Sequence, residues 1–567
     1  VRRTERLVGL LAVLVLTASC ATVPTSGPVE HHQPQQGGAS NGVQVAPLPP
    51  AAGATQLLVV EGFLHAMGTY EDGYRVARQY LTTEAANRWH PESGVQVYAD
   101  GYPPAETEQT AVLIAPVTGS VDATGVYRAT GGQLRQDFGL VKDDDGQWRI
   151  SNPPEGLLVS RYLFATGFEP VEVYFGSTDA DVLLPDPRYF PAGDNALTRA
   201  VTAVLEGPSP WLAPLTAARP PPDVVVDSVV LHSSGSAMVY LGGQTSAVTA
   251  ERRELLLAEL VFTLGSFGQV RTVQVNANGA AWTNKVGRSE LTPQSFSDLD
   301  PVDVSGDRPA YVVRADKLQR QLGQANWVDF VDVQTGFAKV SELAIARGSR
   351  QWAGVTDAST RLVAGAVAEK GSRVMREGHG LLRPFYSRTG DLWSPATAVS
   401  DWLVFHDGSE LKLSVKGLPK GRVVAARLAA DGSRLAVVLA HGATTSVGLL
   451  RVRRGANSVV VEGWQAINLN LLPLNSVTLM DVGWESATEL ALLRTDADRQ
   501  TSVIVVSQDG AELSDIGPSD ATGLRSLLVV PGRPAMAVSA GGGLYRFDGE
   551  FNWMISSSDV SAAAYPG

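Results

Sequence analysis

The sequence predicts a multidomain protein, α+β up to residue 306 and all-β from 307 to 567. Three observations carry this. Apolar residues at helical spacing near the start give way to short alternating segments. A strand-helix-strand-strand-helix-strand order follows over 170–306. Beyond that, a strand, a small-residue turn and a second strand recur several times.

The chain opens with Arg2, Arg3 and Arg6 followed by eleven uncharged residues, 7–17. A basic stretch before a short apolar one is an export signal. Eleven helical residues span about 16 Å, roughly half a bilayer core, so the segment engages export machinery without spanning. It ends in Leu16-Thr17-Ala18-Ser19-Cys20, which resembles a bacterial lipobox with its large apolar residue one place early. The resemblance implies a signal peptide over 1–19, cleavage between Ser19 and Cys20, and Cys20 as an N-palmitoyl, S-diacylglycerol cysteine. Cys20 is the sole cysteine, so no intramolecular disulfide can form. A lone exposed thiol in an exported protein is explained by lipid attachment. Two or three acyl chains make such an anchor durable where one does not.

The net charge is −12; loss of 1–19 removes Arg2, Arg3, Arg6 and Glu5, leaving −14. That excess argues against nucleic acid as a partner. Residues 20–55 are rich in Pro, Gly, Ser and Gln and read as a flexible tether.

The first domain is expected at 56–169. Residues 57–67 read as one helix and 74–86 as a second. Strands are expected at 95–98, 111–115, 125–129, 135–140 and 148–150, with a hairpin tip at Asp145-Gly146. Two helices before a curved sheet closing on Gly146-Gln147-Trp148-Arg149-Ile150 resemble the NTF2-like α+β fold. The Asp143-Asp144-Asp145 run reads as a solvated tip rather than a metal loop.

The second domain, with its linker, is expected at 170–306. Strands are read at 171–175, 225–231, 237–241 and 270–275, helices at 196–205 and 250–264, and a turn-rich connection at 183–188. Tyr174-Phe175, Leu205-Glu206-Gly207-Pro208, and 260–264 running into Gly268-Gln269-Val270 resemble the α/β GerMN domain. That resemblance implies contact with another protein or with the cell envelope.

From 307 to 567 the repeated unit occurs at 352–364, 426–438, 482–492 and 528–538. Asp-Gly tips stand at 407–408, 509–510 and 548–549. Spacings near one or two blade lengths favour a β-propeller over a sandwich.

No catalytic or metal signature stands out. There is no His-Glu-x-x-His, no Gly-x-Ser-x-Gly and no phosphate loop, so no cofactor, metal or catalytic residue is assigned. His31-His32 fall in the tether, and His65 and His90 read as packing or surface residues. Gly541-Gly542-Gly543 precedes a strand and reads as a hairpin turn. Asp186, Glu206, Asp300 and Asp303 read as surface carboxylates. Trp89, Trp148, Trp211, Trp282, Trp402 and Trp553 read chiefly as sheet packing.

Ser19-Cys20-Ala21-Thr22-Val23-Pro24-Thr25-Ser26-Gly27-Pro28, the GerMN-like middle, the propeller repeats and Tyr565-Pro566-Gly567 together resemble the LpqB lipoproteins of actinobacteria. The resemblance implies a non-enzymatic accessory of the MtrA–MtrB two-component system. Such a protein is held on the outer face of the plasma membrane, contacts the sensor histidine kinase ectodomain, and serves envelope homeostasis and division. The alternatives are a sensor or binder of a cell-wall fragment or other small ligand, in the propeller or NTF2-like cavity, and a hydrolase with carboxylates at the propeller mouth.

Overall fold

Thr55 starts the first helix, α1 (Gln56–Gly68), by accepting the Leu58 amide at 3.3 Å. Val59, Val60, Phe63, Leu64 and Met67 fall on its buried side. This computed structural model describes residues 46–567 apart from 108–109, 180, 194, 218–222, 303–307, 324–325, 330–339, 368, 370, 470–476, 519–522 and 550–551. The export segment, Ser19, Cys20 and residues 20–45 lie outside the described residues. Residues 46–55, read as tether, already touch the first domain. The Tyr80 hydroxyl donates to the Leu48 carbonyl at 2.7 Å, and the Gly53 amide to Gln147 Oε1 at 2.6 Å.

The helix expected over 74–86 is broken in two, α2 (Arg75–Gln79) and α3 (Thr83–Arg88). The backbone between them is spent on the sheet. The Ile150 amide donates to the Tyr80 carbonyl and the Thr82 amide to the Ile150 carbonyl, both at 2.9 Å. Groups bonded to a strand cannot also close helical turns. Thr82 then restarts the helix by accepting the Ala85 amide.

The strand Ala111–Val121 is the spine of the first sheet and pairs with Val95–Tyr98, Tyr127–Ala129 and Gln133–Asp137. Sequence reading missed Leu157–Ser160, which runs parallel to Val95–Tyr98, and the helix α4 (Arg161–Gly167) after it. The expected strand at 135–140 is divided, because Leu140–Lys142 turns away to pair with Trp148–Ile150.

In the second domain Phe168–Gly176 pairs with Leu183–Pro191 as a two-stranded ribbon. The expected connection at 183–188 is thus a strand. Pro185 and Pro187 are tolerated because a ribbon has a free edge, where a residue without an N–H breaks no ladder bond. The other edge is served by side chains of α6 (Ala250–Gly265): Thr263 Oγ1 accepts the Tyr174 amide and Glu259 Oε1 the Gly176 amide. α5 (Ala196–Glu206) ends at Gly207, whose φ of 96° is left-handed. A sheet ordered 224–231, 236–243, 272–277, 280–281 completes the domain. Ala237, Val239, Leu241, Val273, Val275 and Ala277 are buried with α5 and α6 in one core.

The last domain forms six sheets among the described residues, standing as blades around a channel. Blade one joins Val560–Ala564 to Tyr311–Arg314, so the chain's two ends of the domain close the ring together. Blades two, three, five and six span 342–377, 385–410, 478–517 and 524–557. Blade four, 412–467, has a fifth strand, Lys412–Val415, parallel to Ser458–Ile467. The expected hairpins are the second and third strands of blade two and the first two strands of blades four, five and six, and each Asp-Gly pair turns a hairpin.

Candidate functional site: a laced channel and its mouth

The first strand of each blade borders the channel: Glu342–Ile345, Phe385–Tyr386, Arg422–Leu428, Thr478–Trp484, Leu524–Leu528 and, for blade one, Val560–Ala564. These strands are mostly apolar, yet they and their flanks carry Glu342, Arg383, Arg427, Asp481 and Arg525. Arg383 reaches across the ring. Its Nε donates to Glu342 Oε2 at 2.9 Å, a terminal nitrogen lies 3.4 Å from Asp481 Oδ2, and it also donates to the Leu527 carbonyl and the Ser526 hydroxyl. Asp481 is shared. It accepts from Arg427 at 3.2 Å, from its neighbour's amide at Val482 and from the Leu527 amide at 2.8 Å. Arg525 crosses from blade six to the carbonyls of Ser341 and Ser561. Guanidinium groups from blades three, four and six thus bond to other blades across the channel.

Burial works against both charges, with opposite outcomes. Asp481 and Glu342 outweigh it at Arg383, whose pKa is raised. At Arg427 burial dominates and the nearby Arg383 charge adds to it, so the pKa falls to about 10 despite Asp481. Both side chains remain cationic at neutral pH. Above this lattice, where the first strands end, a cavity of about 120 Å³ opens. Phe385, Tyr386, Trp484 and Tyr565 wall it, and Arg347 and Arg388 stand at its sides. Trp484 is fixed from behind: its Nε1 donates to the Arg427 carbonyl, and the buried Arg434 guanidinium lies 4.9 Å from its ring.

The other domains dock at the same end of the propeller. Thr488, on the turn after the first strand of blade five, donates to Glu172 at 2.7 Å. Arg161 of the first domain donates to the Ala511 carbonyl at 2.5 Å, and the Tyr189 hydroxyl to Asp509 at 3.3 Å. Trp211 Nε1 donates to the Gly463 carbonyl at 2.7 Å, and Arg451 returns a bond to the Trp211 carbonyl.

The residues singled out from sequence are scattered. Cys20, Ser19, His31, His32 and Asp303 lie outside the described residues. His65 and His90 are exposed; His90 bonds Glu92 at 2.9 Å. His406 bonds Asp391 at 2.7 Å within blade three. Asp143 caps its own hairpin by accepting the Asp145 and Gln147 amides. Gly542 turns between Ser539 and the strand Leu544–Phe547. Asp186 corrects the surface reading: it is buried, bonded to Arg188 at 2.7 Å and to the Ser209 amide at 2.6 Å. Glu206 is exposed. Trp89, Trp282 and Trp402 are core residues, whereas Trp211 packs against the cores of two domains. Among the described residues no three His, Cys, Asp or Glu side chains gather as a metal site would require. The lattice itself was not anticipated, because its members are single charges tens of residues apart. The available signal was a charge inside an otherwise apolar first strand.

Comparison with known proteins completes the picture. Residues 49–165 match the family "Lipoprotein LpqB, N-terminal domain", 172–282 match "Sporulation and spore germination", and 316–566 match "Lipoprotein LpqB beta-propeller domain". Lipoprotein LpqB of Cutibacterium acnes is 29% identical over 99% of both chains. The chain belongs to the LpqB lipoprotein family. Lipoprotein LpqB of Mycobacterium tuberculosis is 25% identical over 100% of this chain and 98% of that one. Among solved structures, the first GerMN domain of the sporulation protein GerM from Bacillus subtilis covers 22% of this chain and 94% of its own, at 18% identity and a TM-score of 0.19. The family matches over 172–282 and 316–566 bear out the GerMN domain and the propeller, and the first domain is α+β. None of its described helices is long and apolar enough to cross a membrane.

Proposed function

We propose that this chain is a lipid-anchored accessory of a sensor histidine kinase of the MtrA–MtrB type, working outside the plasma membrane in envelope homeostasis and division, by binding and without catalysis. The observation that carries the reading is similarity to LpqB lipoproteins along the whole chain, 29% identity over 99% of both partners in one case. Two features of the body support it. The domains are joined by directional bonds through Glu172, Tyr189 and Trp211, so a partner seated on one domain strains the others. The channel is filled by paired charges, which suits a rigid docking platform. In this reading Cys20 carries the lipid.

The test uses the full chain in proteoliposomes with the kinase. Cross-linking captures a complex, and autophosphorylation changes when the lipoprotein is included. Absence of a complex at about 100 µM protein, with kinase activity unaltered, overturns the reading. Mass spectrometry of the native protein reports diacylglyceryl and acyl mass on Cys20; a bare thiol in a soluble fraction removes the anchor.

A further inference from the structure

A cavity of about 200 Å³ opens where the first sheet meets the ribbon Phe168–Gly176 and Leu183–Pro191. Val121, Leu157, Phe168 and Phe190, all buried, form its apolar wall. Apolar cavities of about 150 Å³ accept a molecule the size of benzene.

Tyr70, Tyr74 and Arg199 supply the polar edge. Tyr74 is 6% exposed, yet its hydroxyl bonds no protein group and is not sealed from solvent. Its backbone, just before α2, is held at φ 51° and ψ 45°, a left-handed conformation that is costly for a residue with a Cβ. Burial raises the Tyr74 pKa and the nearby Arg199 charge acts against it, so the phenol stays protonated as a donor. The Tyr70 ring lies 5.6 Å from that of Tyr74, and the Arg199 guanidinium, on α5, 4.9 Å from the Tyr70 ring. The Tyr70 oxygen accepts from the Asn195 side-chain amide at 3.1 Å, which leaves its own hydrogen to donate. Among the described residues Arg199 makes no hydrogen bond and no ion pair.

The capacity left over at this edge is all donor: two O–H groups and one guanidinium fork. The two carboxylates on the rim are engaged elsewhere. Glu92 pairs with His90 at 2.9 Å, and Asp122 with Arg128 at 3.3 Å and with the Val126 amide at 3.1 Å. Arg78, the other cation of the lining, is committed to the carbonyls of Gly73 and Ala86. The Asp72 side chain and Asp194 lie outside the described residues; unused donors, not a sum of charges, define the site. An apolar wall with a few converging donors suits a ligand with an apolar body and an acceptor head. A guanidinium fork matches a carboxylate, two oxygens at a time.

We propose that this cavity binds a small apolar carboxylate, a single-ring or branched aliphatic acid, whose carboxylate is held by Arg199 and the Tyr70 and Tyr74 hydroxyls. The site is independent of the kinase reading, since it needs no protein partner.

The experiment uses the full chain in detergent micelles, titrated calorimetrically with benzoate and with phenylacetate. Acetate, which lacks the ring, and benzyl alcohol, which lacks the acid, are the controls. The expected result is saturable binding of one or both ring acids at about one per chain, tighter than about 1 mM, with each control about tenfold weaker or more. Tyr74→Phe keeps the ring and removes the hydroxyl alone, and weakens the acids about tenfold. Arg199→Gln, on a different element, weakens them about tenfold or more and supplies a second reading should the first variant fold poorly. Arg453→Gln removes an equal charge from an exposed strand, where it faces Glu462 at 2.7 Å, and leaves binding unchanged. The proposal fails if neither ring acid binds saturably up to about 10 mM, or if a control binds as tightly as the acids. It fails equally if Arg453→Gln weakens binding as much as the cavity variants.

Discussion

Arg188 and Asp186 stand two residues apart on one face of the strand Leu183–Pro191 and pair at 2.7 Å, with the arginine side chain 1% exposed and the aspartate 7%. The same guanidinium donates to the Thr124 carbonyl and hydroxyl at 3.0 Å and to the Gly207 carbonyl at 3.2 Å. One side chain thus ties the first domain to the end of α5. Arg188→Ala leaves Asp186 buried without its cation, and a loss of about 3–5 kcal/mol is expected. Denaturant titration of the full chain measures it. A loss below about 1 kcal/mol would show that water enters and solvates the carboxylate.

Asp481 is the hub of the channel lattice. Asp481→Asn leaves the Arg383 and Arg427 guanidiniums close together with one carboxylate, Glu342, to balance them. A destabilisation of about 3 kcal/mol is expected, concentrated in the propeller. Hydrogen exchange should quicken in the first strands of blades three to six, while α1 and its sheet keep their protection.

Burial, helped by the neighbouring Glu489, raises the Glu485 carboxyl to about 7. In the unfolded chain an ordinary glutamate titrates near 4.3. Between those values the folded protein holds a proton that the unfolded chain has lost, so stability falls as pH rises from about 4.5 to 7 and levels off above. Glu485→Gln should flatten that fall. Its melting temperature should exceed that of the unaltered protein at pH 8 and approach it near pH 5, as thermal melts across pH will report. The gain at pH 8 is on the order of 1–3 kcal/mol.

Trp211 packs against the GerMN core and against the core between blades four and five. Trp211→Ala removes that filling and the bond to Gly463. A cost of about 3 kcal/mol is expected, borne mainly by the docking of the domains. Calorimetry should then resolve separate transitions where the intact protein shows stronger coupling. A single unshifted transition would mean that Glu172, Tyr189 and Arg161 suffice to hold the interface.

Local chemistry decided what was readable in advance. The hairpin at 426–438 is visible because apolar strands flank Asp431-Gly432, and those at 352–364, 482–492 and 528–538 follow similar patterns. Blade three was marked only by its Asp407-Gly408 tip because its first strand is two residues long, and blade one escaped notice because its halves come from opposite ends of the domain. The 74–86 segment has helical spacing throughout; only its pairing with Ile150, a distant partner, breaks it. Asp186 sits among prolines and looks like loop until strand alternation puts it beside Arg188. The arginines of the mouth are the extreme case. Each is ordinary on its own, and only the circular order of the blades gathers them.

Closure of blade one has a consequence for how the protein comes into being. Ser561 bonds Val313, 248 positions earlier, so the ring stays an open arc until almost all of it has been synthesised. Meanwhile the strand Tyr311–Arg314 offers an unpaired edge to any passing chain. A nascent molecule halted short of residue 560 would carry folded leading domains and a sticky, unclosed tail. Quality-control proteases would meet that tail first.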